Sequence, residues 1–125
     1  DTDPAISVHY TIRGFNGIVG IESNVNMRAP HAKECHYIVD GLAQEESYLD
    51  SIGQMNNITR YAVTDGIRNI TFSVQASRTA TLLRYPIYTV SQSDSGFEKN
   101  FQGSCVMLCF EVADTLELDL ILSLE

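Results

Sequence analysis

The chain has 125 residues, and its 16 acidic against 8 basic side chains leave a net charge of −8. Nucleic-acid phosphates and anionic membrane surfaces both call for Lys and Arg, so neither is expected as a partner. No apolar run approaches the ~18 residues of a membrane-spanning helix, and the length suits one domain with a two-layer core.

Taken in chain order, the apolar residues recur with period two. Ile6, Val8, Tyr10 and Ile12 alternate with Ser7, His9, Thr11 and Arg13, which predicts a first strand. Gly14-Phe15-Asn16-Gly17 reads as a hairpin turn,. Val19, Ile21, Val25 and Met27 then alternate with Gly20, Glu22, Asn24 and Asn26. Asp40-Gly41 is a turn signal, and Gln44 to Gly53 is the one stretch expected to form a short helix, with Ser47 as a capping candidate,. Ile58 to Val63 reads as a strand, and Asp65-Gly66 as a tight hairpin between Arg60–Val63 and Ile67–Val74, the latter carrying Ile70, Phe72 and Val74,. Ala80 to Leu83 and Ile87 to Val90 read as two short strands. Asp94-Ser95-Gly96 is a turn. Val106, Leu108, Phe110 and Val112 alternate with Cys105, Met107, Cys109 and Glu111, and Leu116 to Leu124 closes the chain with the same period. About eight such runs predict an all-β fold, an antiparallel two-sheet β-sandwich.

Several constellations carry chemistry in other proteins. The three cysteines are an odd number. Cys105 and Cys109 would stand ~13 Å apart along one strand, beyond disulfide reach. Reduced, mostly buried thiols in a cytoplasmic protein are the expectation. His31-Ala32-Lys33-Glu34-Cys35-His36 contains metal-ligand types, but the spacing matches no zinc pattern and Lys33 puts a cation in the middle, so no metal is expected,. No cofactor is expected either. His9 sits on a polar strand face. Ser91 and Ser93 lack the G-x-S-x-G elbow of a serine nucleophile,. The glycines between Gly14 and Gly20 lack phosphate-cradle spacing,. The formal sequons at Asn57 and Asn69 read as chance matches.

The least compositional stretch is Arg84 to Gly103, RYPIYTVSQSDSGFEKNFQG, a polar excursion held between aromatics,. It resembles the signature hydrophobe-Pro-hydrophobe-x-T-V-S-Q-S-x-x-G-F-E-x-x-[YF]-Q-G of the C-terminal β-sandwich domain in bacterial α-amylase and 4-α-glucanotransferase proteins of the glycoside hydrolase family 57 type. Gly20-Ile21-Glu22-Ser23-Asn24 resembles that family's G-V-E-F-N strand. Tyr37-Ile38-Val39-Asp40-Gly41 resembles its Y-hydrophobe-x-D-G segment. The similarity runs from about Val8 to Leu124.

The resemblance implies an accessory domain of galactose-mutarotase-like architecture, reduced in size and excised from a larger glucan-processing enzyme. Its partner would be a catalytic barrel in the same parent protein. The family's sugar-cutting carboxylates lie in that barrel, so no catalytic residue is carried onto this chain. Three functions from different classes follow. The first is a non-catalytic module that supports the barrel and guides α-glucan. The second is an independent carbohydrate-binding module, which the lack of Trp disfavours. The third is a small mutarotase or epimerase-like enzyme, which would need Glu22 to converge with His9, His31 or His36. The candidate carbohydrate-binding residues are Glu22, Asn24, Asn26, Tyr88, Gln92, Ser93 and Glu98. The first three form a row of fixed donors and acceptors on one strand face. The others belong to the signature, where they would touch sugar, dock on the barrel or tie down their own loop. Without its barrel the domain is expected to form a weak homodimer through the uncovered face.

Overall fold

The computed structural model describes residues 4–27, 30 and 32–125, with backbone alone over 42–47. It contains β1 (Ala5–Val25), β2 (Cys35–Val39), β3 (Leu42–Tyr48), β4 (Gly53–Asp65), β5 (Ile70–Ser93) and β6 (Gly96–Leu124). All pairings are antiparallel, and the strands lie side by side in the order β1-β6-β5-β4-β2-β3.

The architecture is the antiparallel, sandwich-like all-β fold expected from the alternation, reached with fewer and longer strands. Its two layers are halves of the same bent strands. β1 follows β6 from Ala5↔Ser123 to Val25↔Ser104, with a register shift between Arg13 and Phe15. Gly14 is the extra residue there, at φ 70°, and Asp114 opposite Phe15 is also left-handed, at φ 67°. Left-handed residues bulge a strand and sharpen its twist. Asn16 Oδ1 accepts the Asp114 N–H at 3.0 Å and holds the corner. In β4 the corner falls at Asn57, at φ 57°. β5 takes a shorter path, its pairing with β6 jumping from Ala76↔Leu120 to Thr81↔Cys109.

Each layer turns its apolar residues inward. Val74, Leu118, Leu120, Tyr61, Val63, Tyr37 and Val39 face Leu82, Val106, Leu108 and Phe110 in a continuous core. Cross-layer contacts confirm the stacking. Tyr61 reaches Ser23 through its hydroxyl, and burial pushes that phenol up to about 12. The Arg84 guanidinium carbon lies 5.1 Å above the Tyr37 ring, a cation–π contact between layers,. Ser104 Oγ donates at 2.7 Å to the Leu49 carbonyl, fastening the segment after β3 to β6.

Three expectations are corrected. Gly14 to Gly17 is a corner within β1 rather than a hairpin, because the same left-handed residues that close turns also bulge strands,. The segment from Gln44 is β3, an edge strand drawn out by pairing with β2, and no helix forms there. Ala80–Leu83 and Ile87–Val90 are parts of the one strand β5. The turn signals at Asp40-Gly41 and Asp94-Ser95-Gly96 do join paired strands, at Val39↔Leu42 and Ser93↔Gly96.

Candidate functional site

The signature residues form a two-stranded arm. β4 stops pairing with β5 at Gly53↔Arg84, and β1 stops pairing with β6 at Val25↔Ser104. From Pro86↔Ser104 to Ser93↔Gly96, β5 and β6 continue as a ribbon with no further strand beside them among the described residues. Pro86 has no N–H for a third strand, which suits the place where β4 departs.

The register sorts the arm into two faces. Tyr88↔Phe101, Val90↔Lys99 and Gln92↔Phe97 are opposed on one face; Thr89↔Asn100 and Ser91↔Glu98 on the other. On the first face the Tyr88 and Phe101 rings meet edge to face at 6.1 Å, and Lys99 Nζ sits 4.0 Å from the Tyr88 ring centroid. On the second, Gln102 Nε2 donates to Thr89 Oγ1 and Asn100 Nδ2 to Ser91 Oγ, both at 3.0 Å. Ser93 Oγ lies 3.1 Å from both Ser95 Oγ and the Gly96 carbonyl, so it ties down the turn.

Glu22 and Asn24 lie elsewhere, exposed on the outer face of edge strand β1, and Asn26 is exposed just past its end. In register with them across β6 and β5 stand Met107 with Leu83, and Cys105 with Tyr85. Burial, and then the Glu22 carboxylate, pushes the Cys105 thiol above its ordinary value against the opposing Tyr85 contact. Asn24 and Asn26 also border the open mouth of the sandwich. Val25, Met27, Asp65, Arg68, Ile70, Phe72 and Leu124 complete a cavity there of about 400 Å³. The structure thus divides the seven candidates between the β1 row (Glu22, Asn24, Asn26) and the arm (Tyr88, Gln92, Ser93, Glu98).

Glu22 does not share a face with either described histidine, His9 or His36. His9 is on the outer face of the other layer, and His36 lies in that layer too, opposite Thr64. His31 lies outside the described residues. Cys35 and His36 point to opposite sides of β2: the Cys35 thiol faces Asp65 Oδ1 at 3.4 Å inside the core. Among the described residues no group of three His, Cys, Asp or Glu could hold a metal ion. All three cysteines are free.

Two polar clusters have structural roles that the sequence did not announce. Asp40, at φ 49°, accepts the N–H groups of Thr59 and Arg60 at 3.1 and 3.0 Å, so the D-G of the Y-hydrophobe-x-D-G segment clips β2 to β4. His9 is held between Asp119 and Glu117, its Nδ1 2.6 Å from Asp119 Oδ1 and its Nε2 2.7 Å from Glu117 Oε2. Asp119 foremost, and then Glu117, raises the imidazole above its ordinary 6.5. Thr11, and then His9, lowers the Glu117 carboxyl below 4.5. The raised histidine contributes stability in full below pH 6.5, and that contribution is lost as pH rises through its folded value. The lowered carboxylate contributes above pH 4.5 and is lost as pH falls through its folded value. The His9 imidazole resonances should therefore titrate above pH 6.5 by NMR. His9→Gln should flatten the decline of thermal stability on the alkaline side; an unchanged pH profile would contradict the assignment.

Residues 1–124 match the family model described as Alpha-amylase/4-alpha-glucanotransferase, C-terminal. The chain belongs to this family. The C-terminal-domain chain is 31% identical over 93 residues to Alpha-amylase 1 of Dictyoglomus thermophilum, a match covering 74% of this chain and 13% of that protein. Its fold superposes on the crystal structure of 4-alpha-glucanotransferase from Thermococcus litoralis with a TM-score of 0.60 at 18% identity, over 95% of this chain and 16% of that one. The domain therefore spans about one seventh of the relatives it matches.

Proposed function

We propose that this family member is a non-catalytic accessory β-sandwich of an α-glucan-processing enzyme, of the glycoside hydrolase family 57 type, and that it steadies the parent's catalytic barrel. The observation that carries the reading is the family match over nearly the whole chain, joined to a fold that superposes throughout on one part of a much longer glucanotransferase. The carboxylates that draw attention on chemical grounds have structural work in the geometry. Asp40 clips β4, Glu117 and Asp119 hold His9, and Asp65 accepts Ile67 N–H, Arg68 N–H and the Arg68 guanidinium. The exposed row Glu22, Asn24 and Asn26 is the surface offered to α-glucan, since side chains on a strand present hydroxyl-binding groups at fixed spacing. Free, largely buried thiols suit a reducing cytoplasm,.

An NMR titration of the labelled chain tests the glucan surface. Maltoheptaose should shift amides around residues 22–26, and cellohexaose should not. An unmoved spectrum at millimolar maltoheptaose would remove glucan contact from the function and leave the scaffold role.

A further inference from the structure

Between Ala76↔Leu120 and Thr81↔Cys109 the ladder joining β5 to β6 is open. Residues 77–80 of β5 cut across a corner that residues 110–119 of β6 travel the long way round. At one end of the gap two side chains of β5 replace the missing rungs. Ser77 Oγ accepts the Asp119 N–H at 2.9 Å, and Arg78 Nε donates to the Glu117 carbonyl at 3.3 Å. At the other end, residues 110–115 of β6 pair with β1 and, among the described residues, with no strand on their second side. Main-chain groups so placed are completed by water or by a ligand.

The gap is a cavity of about 310 Å³. Its floor is apolar and buried, made by Ala80, Phe110 and Leu116. Its rim is polar and exposed, made by Asn57, Arg78, Thr79 and Glu111. The side chains of Asn57, Thr79 and Glu111 have no hydrogen-bond or ion-pair partner among the described residues. Arg78 is anchored through Nε alone, and no ion pair joins it to Glu111 among those residues, so both charges are open to a ligand. An apolar floor under a few convergent polar groups is the make-up of a small-molecule site.

The rim selects the chemistry. An anion would meet the Glu111 carboxylate and a cation the Arg78 guanidinium, and like charges repel. A neutral polyol meets both as partners, because each hydroxyl donates and accepts. The volume lies at the low end of the range for ligand pockets, about 300–1,000 Å³, which suits one or two rings and not a long chain. We propose that the gap between β5 and β6 is a carbohydrate site separate from the β1 row, a pocket for the terminal one or two pyranose units of an α-glucan. The sugar class follows from the rim; that the sugar ends an α-glucan rests on the accessory-domain reading above. Glu111 pairs with Ile18, four to six residues short of Glu22 and Asn24 and so about 13–20 Å along β1 from them,. The row meets a chain along a face, and the pocket takes an end.

An NMR titration of the 125-residue chain with maltose tests this. Amides of residue 57, residues 78–81 and residues 109–111 should move and saturate. Glu111→Ala, an exposed change, should weaken the binding about tenfold or more, the usual loss for a hydrogen bond to a charged group,. Asn57→Gly keeps the left-handed backbone at φ 57° and removes only the amide, and should weaken it about fivefold,. Unmoved gap amides at millimolar maltose would overturn the proposal. So would undiminished binding in both variants, or movement with inorganic phosphate and not with maltose, which would make the gap an anion site. Maltoheptaose separates the two readings. Shifts at residues 22–26 alone keep the glucan surface and remove the pocket, and shifts in the gap alone keep the pocket and remove the surface.

Discussion

Truncating Phe110 to alanine should remove about 4 kcal/mol from the unfolding free energy, in the middle of the range for buried Phe→Ala changes. The ring is 1% exposed and lies on the inner face of β6 opposite Val19. It stands where β5 has parted from β6, beside a cavity of about 310 Å³ that Ala80, Leu116 and Arg78 also line. The cost of a deletion depends on how far the surroundings can collapse. Here the flanking backbone is pinned by Gly14 and Asp114 in left-handed conformations and by the Asn16–Asp114 hydrogen bond. The vacated space therefore stays open and joins a hollow already present. Urea denaturation followed by far-UV circular dichroism measures the loss. A cost below about 2 kcal/mol would show that the corner relaxes and is not rigid. Phe15→Ala, an exposed change at the same corner, should stay within about 0.5 kcal/mol of the parent,.

The second large effect is expected at Gly53. A Cβ there would lie 2.5 Å from the Arg84 guanidinium carbon. Arg84 is 6% exposed, stacked on Tyr37, with its Nε donating to Ser51 Oγ at 3.2 Å. It has little room to retreat. Gly53→Ala should cost about 1–3 kcal/mol, the usual range for overpacking a filled interior. The cause is testable by a double-mutant cycle. In an Arg84→Met background, where the flexible thioether can yield, the same Gly53→Ala change should cost under about 1 kcal/mol. Equal costs in both backgrounds would place the strain in the backbone of β4 and not in the Arg84–Tyr37 stack. Because Arg84 sits at the root of the arm, Gly53→Ala should also broaden the amide resonances of Ile87 and Tyr88.

Local pattern carried much of this structure in plain view. The alternation of Val8, Tyr10 and Ile12, and of Leu116, Leu118 and Leu120, correctly assigned inner faces, because one buried face per strand imposes period two,. Asp40-Gly41 and Asp94-Ser95-Gly96 announced real turns. What pattern could not supply was the difference between a chain that reverses and one that bends. Gly14, Asn57 and Asp114 use the same left-handed backbone in bulges that turn residues use in hairpins, so one folded sheet read as two separate ones,. Asn57 and Asn69, formal sequons, are both left-handed positions, which gives asparagine a backbone reason to be there,. The helix expected near Gln44 failed because pairing with β2 outweighed local propensity,. The acid partners of His9 are remote in sequence and adjacent only through the β1–β6 register. The signature was recognisable as a site-like excursion. Its amphipathic character appears only once Tyr88 is known to oppose Phe101 and Gln92 to oppose Phe97.

The order of the strands bears on how the domain is made in a cell. β6, the last strand to be synthesised, lies between β1, the first, and β5. Polypeptide emerges from the ribosome at about 5–20 residues per second, so β1 waits for seconds without β6, the strand it pairs with among the described residues. The nascent chain up to Ser93 can join β2 to β5 but cannot close either layer. Assembly is completed only after translation has delivered β6, and until then the apolar faces of Val8, Tyr10 and Ile21 are open to chaperones. A premature stop within β6 would remove the template for both of its neighbours, and the product would be degraded instead of surviving as a shortened domain.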